Sequence, residues 1–275
     1  MMCLIAFNWQ PKTETPLVLV ANRDEYFHRG TAAMSCWLDQ PDIVAGRDLE
    51  ALGTWLGVNA GRGRFAALTN IRAPAYRRSC EKSRGQLVSG FLQSSLPASR
   101  YLDEICRERS SYGGFNLLVF DGEELYHLNS EKHPRPVEPG LHGLSNACLD
   151  TPGWPKVESA RRKLCRWLEQ PGSMRDLALL LGSRALAAPD TLPATGVSPA
   201  EEHSLSAEFI AMDGYGTRCS TAMIWGWDSV RLLEITYDCD GRICGQSEFQ
   251  IKPEDRLSDP RSWISTDRSP VLSVT

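Results

Sequence analysis

The feature that most constrains this chain is that its short apolar runs come in pairs, strand followed by strand with only turn residues between. Cys3 to Phe7 and Leu17 to Ala21 flank the polar segment Gln10 to Pro16, which has a proline near each end. Trp55 to Asn59 and Arg64 to Asn70 flank a turn at Ala60 to Gly63. Phe115 to Phe120 and Glu124 to Leu128 flank Asp121-Gly122, a dipeptide that favours tight hairpins. Amphipathic segments lie between these pairs. Arg84 to Gln93 and Tyr101 to Arg109 carry apolar residues at three- and four-residue spacing and are separated by Pro97. Lys156 to Leu168 and Met174 to Leu181 repeat the pattern, with Val157, Ala160, Leu164, Trp167 and Leu168 on one face. A Pro- and Ala-rich loop is expected from Ala187 to Pro199. Strands are expected again at Ala207 to Met212, Ser220 to Trp227, Val230 to Tyr237 and Ser247 to Ile251, before a polar tail from Lys252. Strand groups interleaved with paired helices predict a layered α+β domain, not a sheet in which each strand is followed by its own helix.

The 275 residues, 42 % hydrophobic and 23 % charged, suit one soluble globular domain. A formal charge of -4 argues against general binding to nucleic acid or anionic membrane. The apolar runs fall far short of the ~20 residues that cross a bilayer. The first run has no positive charge before it and stops at Asn8-Trp9-Gln10-Pro11, so no signal peptide is expected and the cytoplasm is the expected compartment. Nine cysteines without CxxC spacing read as reduced thiols, neither a disulfide frame nor a metal site.

Several common sites are excluded. Gly61-Arg-Gly63-Arg-Phe-Ala66 matches a nucleotide-binding fingerprint formally, but it sits between two strands and no helix follows. No GxxxxGK loop, HExxH or GxSxG occurs. What remains is Cys3, on the first strand, with Ala21-Asn22-Arg23-Asp24-Glu25 at the end of the next. An N-terminal Cys can use its own α-amine, of pKa about 7.7 to 8.0, as the base that takes the thiol proton. A cation and a carboxylate at the neighbouring strand end would orient that amine; the same four residues would also make an ordinary polar turn.

The opening Met-Cys-Leu-Ile-Ala-Phe, Asn22 to Glu25, Gly57 to Ala60, Thr69 to Arg72, Gly143 to Ala147 with Asp150 to Trp154, and Asp213 to Thr221 together resemble the NRDE family, also called the transport and Golgi organisation protein family. That family is similar to N-terminal-nucleophile hydrolases of the choloylglycine hydrolase and penicillin V acylase type. The resemblance implies an αββα sandwich and hydrolysis of the C–N bond of a small acyl amide, with Cys3 as nucleophile. Asn22, Arg23, Asp24 and Glu25 stand where those relatives keep Arg-Asn-x-Asp; the order here differs, so which carboxylate takes the catalytic place stays open. Asn59 and Asn146 match asparagines that would hold an oxyanion, and Arg218 matches a late arginine of the site. No cofactor is required by this chemistry. The family is also implicated in haem trafficking and lipid homeostasis, which implies a second reading: a carrier of haem or an acyl chain, with Cys3, His28 or His142 as candidate axial ligands.

Two further expectations concern the surface and the start of the chain. The basic run from Arg62 to Arg84 reads either as a solvated loop face or as a mouth for an anionic ligand, with Arg72, Arg77 and Arg78 as its guanidinium forks. The sequence begins Met1-Met2-Cys3, whereas the hydrolase mechanism needs Cys at the first position. The expectation is that translation starts at Met2 and that the active form begins at Cys3.

Overall fold

The structure is a computed structural model that describes residues 2–73 and 81–252. The chain opens with β1 (Met2–Trp9) and β2 (Leu17–Tyr26), then runs through β3 (Thr31–Cys36), β4 (Ile43–Asp48), β5 (Leu56–Asn59) and β6 (Arg64–Asn70). Helices α1 (Gly85–Gln93) and α2 (Ala98–Glu108) follow. Four strands come next: β7 (Phe115–Phe120), β8 (Leu125–Asn129), β9 (Arg135–Pro136) and β10 (Gly140–Leu144). After α3 (Pro155–Glu169), α4 (Met174–Ala178) and α5 (Pro199–Ser204), the chain closes with β11 (Ala211–Met212), β12 (Tyr215–Trp225), β13 (Val230–Tyr237) and β14 (Ile243–Ile251).

These strands form two antiparallel sheets. One has the order β10-β1-β2-β12-β13-β14, with β11 paired to β12, and the other runs β3 to β9 in sequence. The period-2 alternation of side chains assigns the layers. Ile5, Phe7, Trp9, Leu17, Leu19 and Ala21 meet Val44, Leu56, Val58, Phe65 and Leu118 of the second sheet in the core between the sheets. The intervening residues of β1 and β2, Leu4, Ala6, Val18 and Val20, pack outward on Val157, Ala160 and Leu164 of α3 and Met174 and Leu177 of α4. On the far side Ile43, Ala66, Leu68 and Leu117 pack on Leu87 and Phe91 of α1 and Leu102 and Ile105 of α2. The arrangement is helices, sheet, sheet, helices: the αββα sandwich. Among the described residues no helix is long and apolar enough to cross a membrane.

The differences from the sequence expectation are local. Strands β3, β4, β9 and β10 carry too few large apolar residues to signal themselves; β3 has a single buried position, Met34. The run Ala207 to Met212 is strand only at Ala211–Met212, because Phe209 and Ile210 are buried as parts of a strap that crosses the sheet. The tail from residue 253 lies outside the described residues.

Two glycines meet local demands that a side chain would not, and the second shapes the region that matters below. Gly122 takes φ +99° in the Asp121-Gly122 turn, which favours glycine. Gly46 on β4 lies flat under Trp55, where a Cβ would come within 2.2 Å of the indole ring. That clearance seats Trp55, and Trp55 in turn carries the Arg23 guanidinium on its face at 4.1 Å. Gly46→Ala should therefore lower the urea midpoint by the equivalent of roughly 1–3 kcal/mol, the usual penalty of overpacking. An unchanged midpoint would show that Trp55 is not held there.

Candidate active site

The pleat of β2 splits the Asn22-Arg23-Asp24-Glu25 motif between two faces. Register pairs Cys3 with Arg23, Arg23 with Cys219, and Cys219 with Thr236, so these four lie in one row across the first sheet. Cys219 belongs to the core between the sheets, and the row shares its face. Arg23 is 1 % exposed and donates from Nη1 to Thr31 Oγ1 at 3.0 Å. Glu25 Oε2 is 3.9 Å from Arg23 Nη2, and Oε1 accepts from the Tyr26 backbone N–H. Asn146 joins the row from the other side. It lies two residues beyond Leu144, the partner of Ile5, and its neighbour Ser145 donates from Oγ to the Cys3 carbonyl at 3.0 Å and to Asn146 Oδ1 at 3.1 Å. Asn146 Nδ2 donates to the Asn70 carbonyl at 2.9 Å.

Asn22 and Asp24 point the other way, toward the helices. Asn22 Nδ2 donates to the carbonyls of both Leu181 and Glu208 at 2.9 Å, and Oδ1 accepts from Ser220 Oγ at 2.6 Å. Asp24 Oδ1 accepts from Thr217 Oγ1 at 2.7 Å, while Oδ2 has no hydrogen-bond partner among the described residues. The Thr217 hydroxyl accepts in turn from the Ile210 N–H.

Lys156, in the first turn of α3, completes this side. It is 2 % exposed and donates from Nζ to the Leu205 carbonyl at 3.0 Å. Sequence reading missed it. The available signal was a cation in a first helical turn, where the helix dipole disfavours positive charge. Glu234 was missed as well, although an acid at the centre of the apolar strand β13 marks an inward position. Its Oε1 accepts from the Met34 N–H at 2.7 Å.

Burial sets the electrostatics. It pushes the Cys3 thiol up to about 12, with the Asp24 charge adding to the rise; Arg23 and the Asp24 backbone N–H work against it. Burial also raises Asp24 to about 6, opposed first by Lys156 and then by the Thr217 hydroxyl. Lys156 is lowered to about 8 by the same loss of water, opposed by Asp24. Cys219 is raised well above the ordinary thiol value, again by burial and then by Glu234.

The other expected site residues are placed elsewhere. Asn59 lies at the far end of β5 from Trp55 and on the helix side, since its neighbours Val58 and Ala60 face the inner core. Its Nδ2 donates to the Leu92 carbonyl and its Oδ1 accepts from the Arg62 N–H, so it fastens a hairpin to α1 and does not approach Cys3. Arg72 is not an open fork: its Nη2 donates to Glu202 Oε2 at 2.7 Å in an interior ion pair, with Trp154 beside it. Arg77 and Arg78 lie outside the described residues. Elsewhere in the basic run, Arg64 donates to the carbonyls of Ser94 and Leu96, and Lys82 pairs with Glu108 at 2.5 Å. Arg218 sits at a β-bulge, which turns its side chain aside; Nη1 donates to the carbonyls of Tyr26 and Arg29. His142 uses both ring nitrogens, on Asp150 and on the Glu138 carbonyl, and His28 lies against Tyr26. A cavity of about 200 Å³ opens between the sheets beside Trp55, Arg218, Cys219, Glu234 and Thr236. Among the described residues no group of three or more His, Cys, Asp or Glu could hold a metal ion.

The raised Asp24 fixes a pH dependence. Its folded pKa lies above the unfolded value of about 3.9, so its contribution to stability is complete below pH 4 and is lost as pH rises through 6. Lys156 acts oppositely: its contribution is complete above about pH 10.5 and is lost as pH falls through 8. Urea midpoints of wild type and Asp24→Asn should diverge in favour of the variant between pH 4 and 6. A constant difference across that window would mean that Asp24 titrates normally.

A family model described as Transport and Golgi organisation 2 matches residues 2–239. The transport and Golgi organization protein 2 homolog of Bos taurus is 32 % identical over 289 residues, covering 96 % of this chain and 97 % of that protein. The Homo sapiens homolog is 31 % identical over 246 residues, covering 81 % and 88 %. Among solved structures, a Caenorhabditis elegans N-acylethanolamine-hydrolyzing acid amidase ortholog aligns with a TM-score of 0.45 and 10 % identity over 81 % of this chain and 92 % of that one. Matched by the family model over most of its length and by relatives along nearly all of theirs, the chain belongs to the transport and Golgi organisation 2 family.

Proposed function

We propose that this protein hydrolyses the C–N bond of a small acyl amide in the cytoplasm, with Cys3 as nucleophile once it is the first residue. The observation that carries the reading is the row Asn146, Cys3, Arg23 on the inner face of the first sheet, with Asp24 and Lys156 buried behind it. In a chain that keeps Met1 and Met2, the thiol is protonated and its own nitrogen is an amide, so it is inert. Loss of both methionines supplies an α-amine. Register pairs Met2 with Asp24, so the new amine forms beside the Asp24 end of β2. Asp24 would orient it as an ammonium, and the Lys156 cation would favour its return to the neutral base.

The steps balance without a cofactor. The amine takes the thiol proton, and sulfur adds to the amide carbon. The oxyanion is held by the second N–H of Asn146 Nδ2. The ammonium then returns its proton to the leaving amine as the C–N bond breaks, leaving a thioester on Cys3. Water, deprotonated by the same amine, releases the carboxylic acid and restores the thiol.

The competing reading, carriage of haem or an acyl chain without bond cleavage, draws support from the inertness of Cys3 in the unprocessed chain. Intact-mass spectrometry separates the two. Protein beginning at Cys3, exposed to a panel of N-acyl amides, should gain one acyl mass that is absent in Cys3→Ala. A haemin-induced Soret shift with no acyl adduct on any amide would overturn the hydrolase.

The asparagines divide in a second test. Asn146→Ala should lower kcat about 10²–10³-fold, the usual effect of losing one oxyanion donor. Asn59→Ala should lower stability and leave kcat within about twofold. Equal kcat losses would return Asn59 to the site.

A further inference from the structure

The cavity between the sheets has donors that the chemistry above does not use. Arg23 lies between two of its lining residues, stacked on Trp55 and bonded to Thr31. Its Nε and Nη2 have no hydrogen-bond partner among the described residues, and the Glu25 oxygen at 3.9 Å is beyond bonding distance. A buried charged donor left unsatisfied is destabilising, so the site favours an acceptor. Arg218 lines the same cavity and gives only Nη1 to backbone carbonyls among the described residues. The one acid in the lining, Glu234, has its oxygens turned to the Met34 N–H and the Thr221 hydroxyl, and burial holds it toward the neutral form. One guanidinium therefore belongs to the lining, and a second, with two donors unfilled among the described residues, lies behind its Trp55 and Thr31 wall, while the carboxyl group of the lining is already engaged.

We propose that this cavity binds a carboxylate head group, held by Arg218 in its lining and favoured by the buried charge of Arg23 behind its Trp55 and Thr31 wall. Guanidinium forks match carboxylates in geometry and charge. At about 200 Å³ the space admits a head group and not a long chain. Cys219 in its wall is two strands from Cys3 across Arg23, about 10 Å at a spacing of ~4.8 Å per strand. A molecule anchored here presents a bond a short distance along its length to the Cys3 position. On the hydrolase reading, the substrate is an acyl amide whose amine half ends in a carboxylate, in chemical terms an N-acyl amino acid. Anchoring of the head group is independent of that reading; only the identity of the broken bond rests on it.

The test uses the full unprocessed chain, in which Cys3 is inert, and titrates N-hexanoyl-4-aminobutyrate and its primary amide by calorimetry. The acid should bind at least tenfold more tightly than the amide. In Arg218→Gln, checked for native circular dichroism, that gap should shrink to threefold or less. Thr236→Leu, which narrows the cavity without changing its charge, should weaken the acid at least tenfold. Equal affinities for acid and amide in wild type would overturn the proposal without any variant, and so would a gap that survives Arg218→Gln or acid binding untouched by Thr236→Leu. Tight acid binding with no turnover by the processed protein would refute the hydrolase and leave the anchor standing. Turnover of neutral amides with no preference for acids would do the reverse.

Discussion

A guanidinium almost fully removed from water, resting on an indole and short of acceptors, is the interaction around which this interior is organised. Arg23 can be buried because Trp55 offers its face at 4.1 Å and Thr31 takes one donor. Trp55 holds that place because β4 has glycine at position 46. The arginine then separates two thiols, Cys3 and Cys219, which register sets on either side of it. Both thiols are buried and raised, yet their settings differ. Cys219 faces a carboxyl group in Glu234, whereas Cys3 lies at the strand end, beside a carboxylate and a lysine on the opposite face.

That opposite face depends on polar anchors. Asn22 ties Leu181 and Glu208, Thr217 ties Ile210, Lys156 ties Leu205, and Arg72 ties Glu202 on α5. Each bond joins the first sheet, its helix α3, or the segment after β6 to the strap that runs from α4 to β11. These side chains supply partners for the strap's buried polar groups: the carbonyls of Leu181, Leu205 and Glu208, the Ile210 N–H and the Glu202 carboxylate. The family motif is thus two devices on one strand: its odd positions face the space between the sheets, and its even positions fasten a cover over the helix side.

The sandwich was legible because hairpins leave a short-range trace. Apolar runs, turn dipeptides and amphipathic helices place most of the central strands and α1 to α4 within a few residues. Strands β3, β4 and β10 were not legible, since their pairing is dictated by neighbours and not by their own apolar content. Cys3, Arg23 and Asn146 follow from motif resemblance and do meet in one row, with Asp24 behind it on the opposite face of the sheet. Asn59 shares that origin and does not: a motif preserves a residue without saying whether it serves the chemistry or the scaffold. Arg72, expected from the basic run as a fork for an anion, is instead paired with Glu202. Lys156 carries no motif weight and reveals itself only when α3 is packed against β1.

The Asn22 amide has one more consequence. By bonding the carbonyls of Leu181 and Glu208 together, it closes the strap into a loop whose ends are fixed from outside. The entropy of closing such a loop grows only with the logarithm of its length, about 0.6 kcal/mol for each doubling. Chain inserted between Ala185 and Leu192, clear of the bonds to Glu202, Leu205 and Glu208, therefore adds little to the free energy of closure. Closure entropy therefore sets only a weak limit on the length of this strap.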